Sequence, residues 1–245
     1  MVVKGGSRVG FSSTYFMDSL QSGLMYLPRT LLLSWIPVLL GLLVGTLLAV
    51  VRGYRILFLG RLISVVVSIY QGLPIVVALL IYNLLFMMEF NPVADVIGLP
   101  WQASEIDNLW VGVFALSLQA ICLMEESIRG ALYSVGKGQR EAGLAAGLTE
   151  WQVLRYIILP QVIPVAIPSL LNNIVGTVKN SSVVVAIGVT EVLSGASVPA
   201  SKTYSFLESY LAAGLIYWGL TGFIEWIFQC WEQSSQEQVH TENSL

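Results

Sequence analysis

Five apolar runs, each long enough to cross a membrane, constrain the fold of this chain more than any other feature. Because lipid offers the backbone no hydrogen-bond partners, a segment that crosses a bilayer must be an α-helix or part of a closed β-barrel. A helix needs roughly 20 apolar residues to cross, and continuous rather than alternating apolar residues favour helices. The sequence therefore predicts an all-α integral membrane protein with five spans, at residues 31–51, 62–88, 109–128, 162–178 (or, with a continuation, 162–193) and 207–230.

The composition agrees with this prediction and argues against a soluble domain. Hydrophobic residues make up 56% of the 245 residues, charged residues make up 11%, and the mean hydropathy is +0.75. Residues 1–30 are expected to form an outer N-terminal segment, either as an interfacial helix or as a plain extramembrane segment. Residues 31–230 form the predicted transmembrane domain, and residues 231–245 form a polar tail.

The distribution of lysine and arginine predicts the orientation, because loops rich in these residues stay in the cytoplasm. Five spans then place the N-terminus outside and the C-terminus, with its tail, in the cytoplasm. Lys4, Arg8 and Arg29 in the outer segment oppose this orientation. The cations that support it lie between spans one and two and between spans three and four: Arg52, Arg55, Arg61, Arg129, Lys137, Arg140 and Arg155.

A polar interruption at residues 137–160 separates the third and fourth spans. We expect a short helix around residues 141–150, and Pro160 separates it from the following span because proline interrupts helical hydrogen bonding. The spacing resembles the E-A-A, three residues, G, nine residues, I-x-L-P loop by which permeases of ATP-binding-cassette (ABC) importers dock on their ATPase. The matching residues are Glu141, Ala142, Gly143, Gly147, Ile157, Leu159 and Pro160, with Gly143 in place of the second alanine.

The resemblance extends over residues 31–225, and on it the chain is identified as a member of the polar amino-acid permease family of ABC importers. Residues 71–74 are similar to the family's R-G-T-P, and residues 115–119 to its A-L-T-L-N. Residues 126–131 resemble the end of A-E-I-F-R-G-A, and the matches continue in the family's order at residues 137–139, 157–161, 179–182 and 187–189.

This resemblance implies a five-span type I importer permease with a cytoplasmic coupling helix, in a bacterial plasma membrane. It also implies the partners: a second permease, identical or homologous, an ABC ATPase dimer that binds ATP and Mg²⁺, and an extracytoplasmic amino-acid-binding protein. The expected mechanism is alternating access, driven by the ATPase through the loop at residues 137–160. The permease itself would be non-catalytic.

Polar residues inside the predicted spans are candidates for a substrate path, because polar groups are costly in lipid. One stripe of polar residues recurs at helical spacing along the third span. A second stripe, which includes Ser169 and Gly176, recurs along the fourth span. A polar stretch then interrupts the apolar sequence, as in the broken helices at which transporters hold ligands. The candidates are Gln119, Cys122, Glu125, Glu126, Asn172, Asn173, Lys179, Asn180, Ser181 and Ser182.

Each candidate also has a purely structural interpretation. Glu126 and Arg129 have the spacing of an ion pair along one helix, and the two asparagines can bond neighbouring helices. Lys179 can pair with Glu191 or Glu125.

Two departures from the family limit the substrate prediction. Residues 121–125 replace the family's A-A-Y-L-A, and Gln71 replaces an arginine. Either the ligand differs from the common polar amino acids, or this subunit is the half of a heterodimer that does not contact it.

Catalytic, metal and nucleic-acid functions are not expected. The glycine-rich segment at residues 130–138 lacks the spacing and the hydroxyl of a phosphate-binding loop, so ATP would bind another subunit. Cys122, Cys230 and His240 form no metal-ligand pattern, and no cofactor is expected in this chain. A channel or secondary carrier that works without nucleotide is the alternative function, and an integral-membrane enzyme comes third.

Overall fold

The structure is a computed structural model that describes residues 11–53 and 57–242, except the side chains of 57, 58 and 231–242. Lys4, Arg8, Arg55 and the side chain of His240 lie outside this description. The described residues form helices and their connections. The α-helices are α1 (Ser13–Met25), α2 (Leu27–Gly53), α3 (Leu57–Gln71), α4 (Ile75–Ile97), α5 (Leu109–Ser134), α6 (Lys137–Ala145), α7 (Glu150–Val153), α8 (Leu159–Asn180), α9 (Val192–Thr203) and α10 (Phe206–Glu242).

Among the described residues, five helical segments are long and apolar enough to cross a membrane. The prediction of an all-α, five-span membrane protein is thereby confirmed. The segments are Leu27–Gly53, Ile75–Ile97, Leu109–Ser134, Glu150–Ile187 and Phe206–Cys230.

The predicted second span, residues 62–88, was wrong as a single helix. Helix α3 ends at Gln71 and α4 begins at Ile75, so the apolar run is broken in the middle. Pro74 explains the break, because proline has no backbone N–H and disfavours helical geometry at the residue before it. Pro74 lies at the N-terminal boundary of α4 with φ −58°.

The fourth span also differs from its prediction at its end. Helix α8 stops at Asn180, and a 3₁₀ turn follows at Ser181–Ile187. Gly188 then ends this turn in a left-handed conformation, with φ 79°, so the alternative continuation of the span extends to Ile187 but not to residue 193. A separate helix, α9, begins at Val192.

Successive crossings alternate in direction. Gly41 of α2 approaches Ala120 of α5, and Gly53 approaches Leu132, so α2 and α5 run parallel. Helix α8 runs antiparallel to α5, since Asn180 bonds Gln119 whereas Ser169 bonds Ser127. We call the end of the bundle that carries residues 137–158 the loop end.

Helix α1 packs on the other end of the bundle, against α9 and α10. The Ser22 hydroxyl donates to the carbonyl oxygen of Gly195 at 2.7 Å. A methyl group at Gly23 would lie 2.8 Å from Cδ1 of Ile216, which shows how closely α1 approaches α10. Residues 11–30, which were expected to belong to a separate outer segment, therefore pack against the helices of the domain.

Candidate functional site: the coupling loop and the polar interior

The loop at residues 137–160 folds into two short helices joined by a glycine turn. Helix α6 ends at Ala145, and Gly147 follows with φ 85°, a conformation that glycine adopts without strain. The N–H of Leu148 donates back to the carbonyl oxygen of Gly143 at 3.1 Å, as in a Schellman motif. Thr149 then caps α7, because its side chain accepts from the N–H of Gln152.

Gly143 is the buried contact point of the loop. A methyl group there would lie 2.7 Å from Cδ1 of Ile157 and 2.8 Å from Cγ2 of Val153. Two predicted coupling residues, Gly143 and Ile157, are thus in contact. The family's motif has alanine at position 143, but here the side chains of Ile157 and Val153 occupy the place of its methyl group. Of the others, Leu159 is half-buried, whereas Glu141, Ala142, Gly147 and Pro160 are exposed.

An ion pair joins the two helices of the loop, and apolar side chains connect the loop to two spans. Arg140 of α6 forms an ion pair with Glu150 of α7, with 2.5 Å between Nη2 and Oε1. A cluster of apolar side chains below the loop joins α5 to α8, including Ala131, Val162 and Ala166. Displacement of the loop would therefore act on α5 and α8 together.

Polar side chains of α5 and α8 face each other across the interface of the two helices, and Gln119 is the member of the predicted α5 stripe that takes part. Asn180 donates to the side-chain oxygen of Gln119 at 3.2 Å. Asn173 donates to the Ser127 hydroxyl at 2.8 Å and to the carbonyl oxygen of Leu123 at 3.1 Å. These side chains satisfy one another, so within this chain the stripes form a hydrogen-bonded seam between packed helices.

Glu125 lies in a buried ion pair. Its side chain is fully buried, and both carboxylate oxygens lie 2.7 Å from Nη1 of Arg52, which is itself 12% exposed. The other terminal nitrogen of Arg52 donates to the Ser64 hydroxyl at 3.0 Å, so three helices meet here. Cys122, one turn away, is also buried.

Glu126 pairs along its own helix with Arg129, which is the structural interpretation that the spacing allowed. The Arg52 guanidinium also lies 3.7 Å from Oε2 of Glu126.

Lys179 pairs with neither of the carboxylates suggested for it. Glu191 is buried and accepts from the Tyr217 hydroxyl at 2.5 Å and from Thr30 at 3.3 Å. It also caps α9 by accepting from the N–H of Leu193 at 2.9 Å. The Lys179 side chain is exposed.

The remaining candidates divide by exposure. Asn172 is exposed and lies two turns before Lys179 on the same face of α8. Gly176 lies between them on this face. Ser181 is buried and bonds the carbonyl oxygen of Val178 and the Tyr217 hydroxyl. Ser182 is half-buried and donates to the carbonyl oxygen of Lys179.

Sequence reasoning missed several polar partners and exposed groups near these sites. Arg52 was read only as an orientation signal, although a cation at the end of a span also signals a possible ion pair. Tyr217 carried no signal, because its partners Glu191 and Ser181 are distant in sequence. Trp151 and Tyr156, which lie in the loop and are 63% and 65% exposed, were overlooked although large exposed aromatics often mark interfaces.

Comparison with known proteins identifies the architecture. Residues 17–234 match the family described as "Binding-protein-dependent transport system inner membrane component". The chain is 31% identical over 234 residues to the probable amino-acid ABC transporter permease protein PatM of Vibrio harveyi, covering 95% of this chain and 99% of that one. It is 30% identical to the L-cystine transport system permease protein TcyL of Bacillus subtilis (strain 168), covering 85% and 84% of the two chains.

Solved structures agree with the sequence matches. A crystal structure of an amino acid ABC transporter with histidines superposes with a TM-score of 0.76 at 25% identity, covering 92% of this chain and 100% of that chain. An inward-facing MetNI methionine ABC transporter, at 19% identity and a TM-score of 0.63, shares the fold. The chain belongs to the family of binding-protein-dependent transport system inner membrane components and is a multi-pass permease subunit related to those of amino-acid ABC transporters.

Proposed function

We propose that this chain is the membrane half of an ATP-driven importer for an amino acid or an amino-acid derivative. A binding protein outside the membrane delivers the ligand, and a dimer of ABC ATPases, which binds ATP and Mg²⁺, drives alternating access. Two permeases, identical or homologous, form the membrane part. The relatives named for amino-acid transport and for L-cystine transport support the substrate class.

The geometry of the coupling loop carries the proposal. Helix α6 presents Glu141 and Ala142 on an exposed surface, while its opposite face is anchored through Gly143 to Val153 and Ile157. A helix that is exposed to a partner on one face and packed against its own chain on another can transmit the partner's movement. The ATPase would dock on α6, and α5 and α8 would move with it.

The proposed orientation places the loop end in the cytoplasm. Arg140 and Arg155 lie in the loop, and Arg52 lies at the same end of α2, in agreement with the positive-inside rule. The N-terminal end of α2 then lies outside, and the binding protein meets that end of the bundle.

The proposed substrate path runs along the exposed polar face of α8 rather than through the seam. Asn172 and Lys179 lie on this face within a segment apolar enough to span the membrane. Exposed polar groups at this depth face a partner or water rather than lipid. We therefore place the path between α8 and the second permease.

ATP hydrolysis by the assembled transporter in lipid tests the coupling proposal. We expect Gly147→Val to abolish stimulation by a ligand-loaded binding protein, because a β-branched residue at φ 85° is strained and the turn would shift. Gly130→Ala, in α5 and outside the docking helix, is the control, since a methyl group there meets nothing within 4 Å. It should retain full stimulation.

Two results would contradict the proposal. One is stimulation of Gly147→Val equal to that of the wild type, which would remove the loop from coupling. The other is ligand flux through liposomes that contain the permease without any ATPase, which would establish a channel or carrier instead.

A further inference from the structure

The two spans that carry the coupling loop are connected to it in different ways. Between α5 and α6 the helix stops, because Val135 and Gly136 have extended backbones, with ψ 117° and 141°. Between α7 and α8 the helix does not stop, and residues 150–180 are helical throughout. A non-helical link therefore holds one end of the loop, and a continuous helix holds the other.

A single wide turn interrupts the regularity of this continuous helix. Leu154–Ile158 form a π-turn, and the N–H of Leu159 donates to the carbonyl oxygen of Leu154, five residues back rather than four. A π-turn of this kind is an α-helix that contains one extra residue, and such turns are frequent at functional sites. This one lies between α7 of the coupling loop and the spanning helix α8.

Pro160 weakens the backbone bonding of the π-turn. In a regular α-helix the N–H of residue 160 would bond the carbonyl oxygen of Tyr156, and in a continued π-helix it would bond that of Arg155. Proline has no N–H and supplies neither bond. The turn is therefore held by fewer backbone hydrogen bonds than a regular turn.

The side chains of the π-turn are packed on one side only. Ile157, with Val153 of the preceding turn, lies against Gly143 of α6. The side chains of Arg155 and Tyr156 are exposed, and within the part of the chain that the structure describes they form no ion pair and no hydrogen bond. Few contacts would thus be lost if the helix bent at this turn.

We propose that this π-turn is the hinge on which the coupling loop pivots against α8. A loop seated on the ATPase keeps the orientation of the ATPase, whereas alternating access requires the spans to tilt. The extended link at Val135 and Gly136 permits this tilt on the α5 side. On the α8 side the π-turn permits it, because helices bend at prolines and at π-turns. This inference rests on the proposed coupling to an ATPase and adds the position of the joint within the permease.

Deletion of one exposed residue of the turn tests the hinge. Deletion of Tyr156 removes the extra residue, so the turn should become α-helical while the segments on either side keep their orientation. Tyr156→Ala is the matched control, because it removes the same side chain and keeps the extra residue. Deletion of Arg155 and Arg155→Ala repeat the comparison at the neighbouring position. All variants are made in the full chain and purified in complex with the second permease and the ATPase.

Two measurements are made on each complex in lipid. Hydrogen exchange at residues 154–159 reports the opening of the turn. ATP hydrolysis is measured with and without the binding protein, saturated with a mixture of the twenty common L-amino acids and L-cystine. We expect both deletions to slow exchange at the turn and to lose stimulation by the binding protein. Both alanine variants should match the wild type in exchange and in stimulation.

Every other combination overturns the hinge. Deletions that keep the wild-type stimulation, or the wild-type exchange, would show that the turn is not the joint. Alanine variants that lose stimulation would assign the effect to the side chains. Deletions that no longer bind the ATPase, while the alanine variants do, would make the turn a requirement for docking. In each of these cases a stimulated wild type leaves the proposed function intact. A wild type without stimulation would contradict the proposed function itself.

Discussion

Helices α2 and α3 both contact α5, but through interfaces of opposite kinds. Helix α2 lies against α5 through glycines, and a methyl group at Gly45 would lie 3.0 Å from the backbone nitrogen of Glu125. Of residues 59–71 in α3, Val67 alone is buried. The polar contacts of residues 59–71 are the Ser64 bond to Arg52 and the Tyr70 bond to the carbonyl oxygen of Ala115, each 3.0 Å long, and a 3.5 Å bond from the Gln71 amide to the carbonyl oxygen of Cys122.

The difference separates a rigid pair from a loosely held segment. Closely packed helices resist relative movement, because any shift loses many contacts at once. A helix with few buried contacts belongs to the part of a protein that opens most easily. Since α3 also ends at the break before Pro74, it is well placed to move while α2 and α5 stay together.

Arg52 joins the two interfaces, and its removal should have the largest effect. We expect Arg52→Leu to lower the free energy of unfolding by about 3–5 kcal/mol, because Glu125 is left as a buried charge without a partner. The double variant Arg52→Leu/Glu125→Leu should recover most of the loss. Unfolding of the permease in mixed micelles measures both. A double variant as unstable as the single one would show that the stability does not depend on charge pairing.

Adding side-chain volume at the α2–α5 interface should have the next largest effect on stability. We expect Gly45→Val to cost about 1–3 kcal/mol of unfolding free energy, because the added carbons meet backbone atoms of α5. Gly53→Ala is the control on the same helix, since a methyl group there lies 3.7 Å from the nearest atom, in Leu132. The same unfolding assay applies. Equal stability of Gly45→Val and the wild type would mean that α2 and α5 are not rigidly packed.

Removing the hydrogen bond between α3 and Arg52 should have the smallest effect on global stability. We expect Ser64→Ala to cost about 0.5–1.5 kcal/mol, the usual contribution of one hydrogen bond. Hydrogen exchange should become faster in α3 and stay unchanged in α2 and α5. Ser68→Ala, at an exposed position of the same helix, is the control. Faster exchange in all three helices would contradict a separately held α3.

Local spacing was a reliable guide to the elements of the fold. The five apolar segments followed from hydropathy, and the positions of Gly143 and Gly147 followed from the spacing of the coupling motif. The break before Pro74 was present in the sequence but was overlooked, because the surrounding residues are apolar and the run reads as one span. Proline in the middle of a run is a local signal, so this error was avoidable.

The contacts of the candidate path residues were harder to predict, because helical periodicity does not identify which helix packs against a given face. The stripe on α5 and the stripe on α8 were expected to line a path, yet Gln119 and Asn180 bond each other directly. Glu125 was assigned to the same path, but it is buried against Arg52, 73 residues away in sequence.

The sequence by itself determined that the chain is a helical membrane protein with five spans and a polar loop whose spacing resembles the family's coupling motif. It could do so because hydrophobicity and helical hydrogen bonding are local properties of each segment. Only the tertiary structure decided which charges in the spanning segments are buried in pairs and which are exposed. That distinction depends on contacts between helices distant in sequence, where burial and the nearest opposite charge set the cost of each polar group.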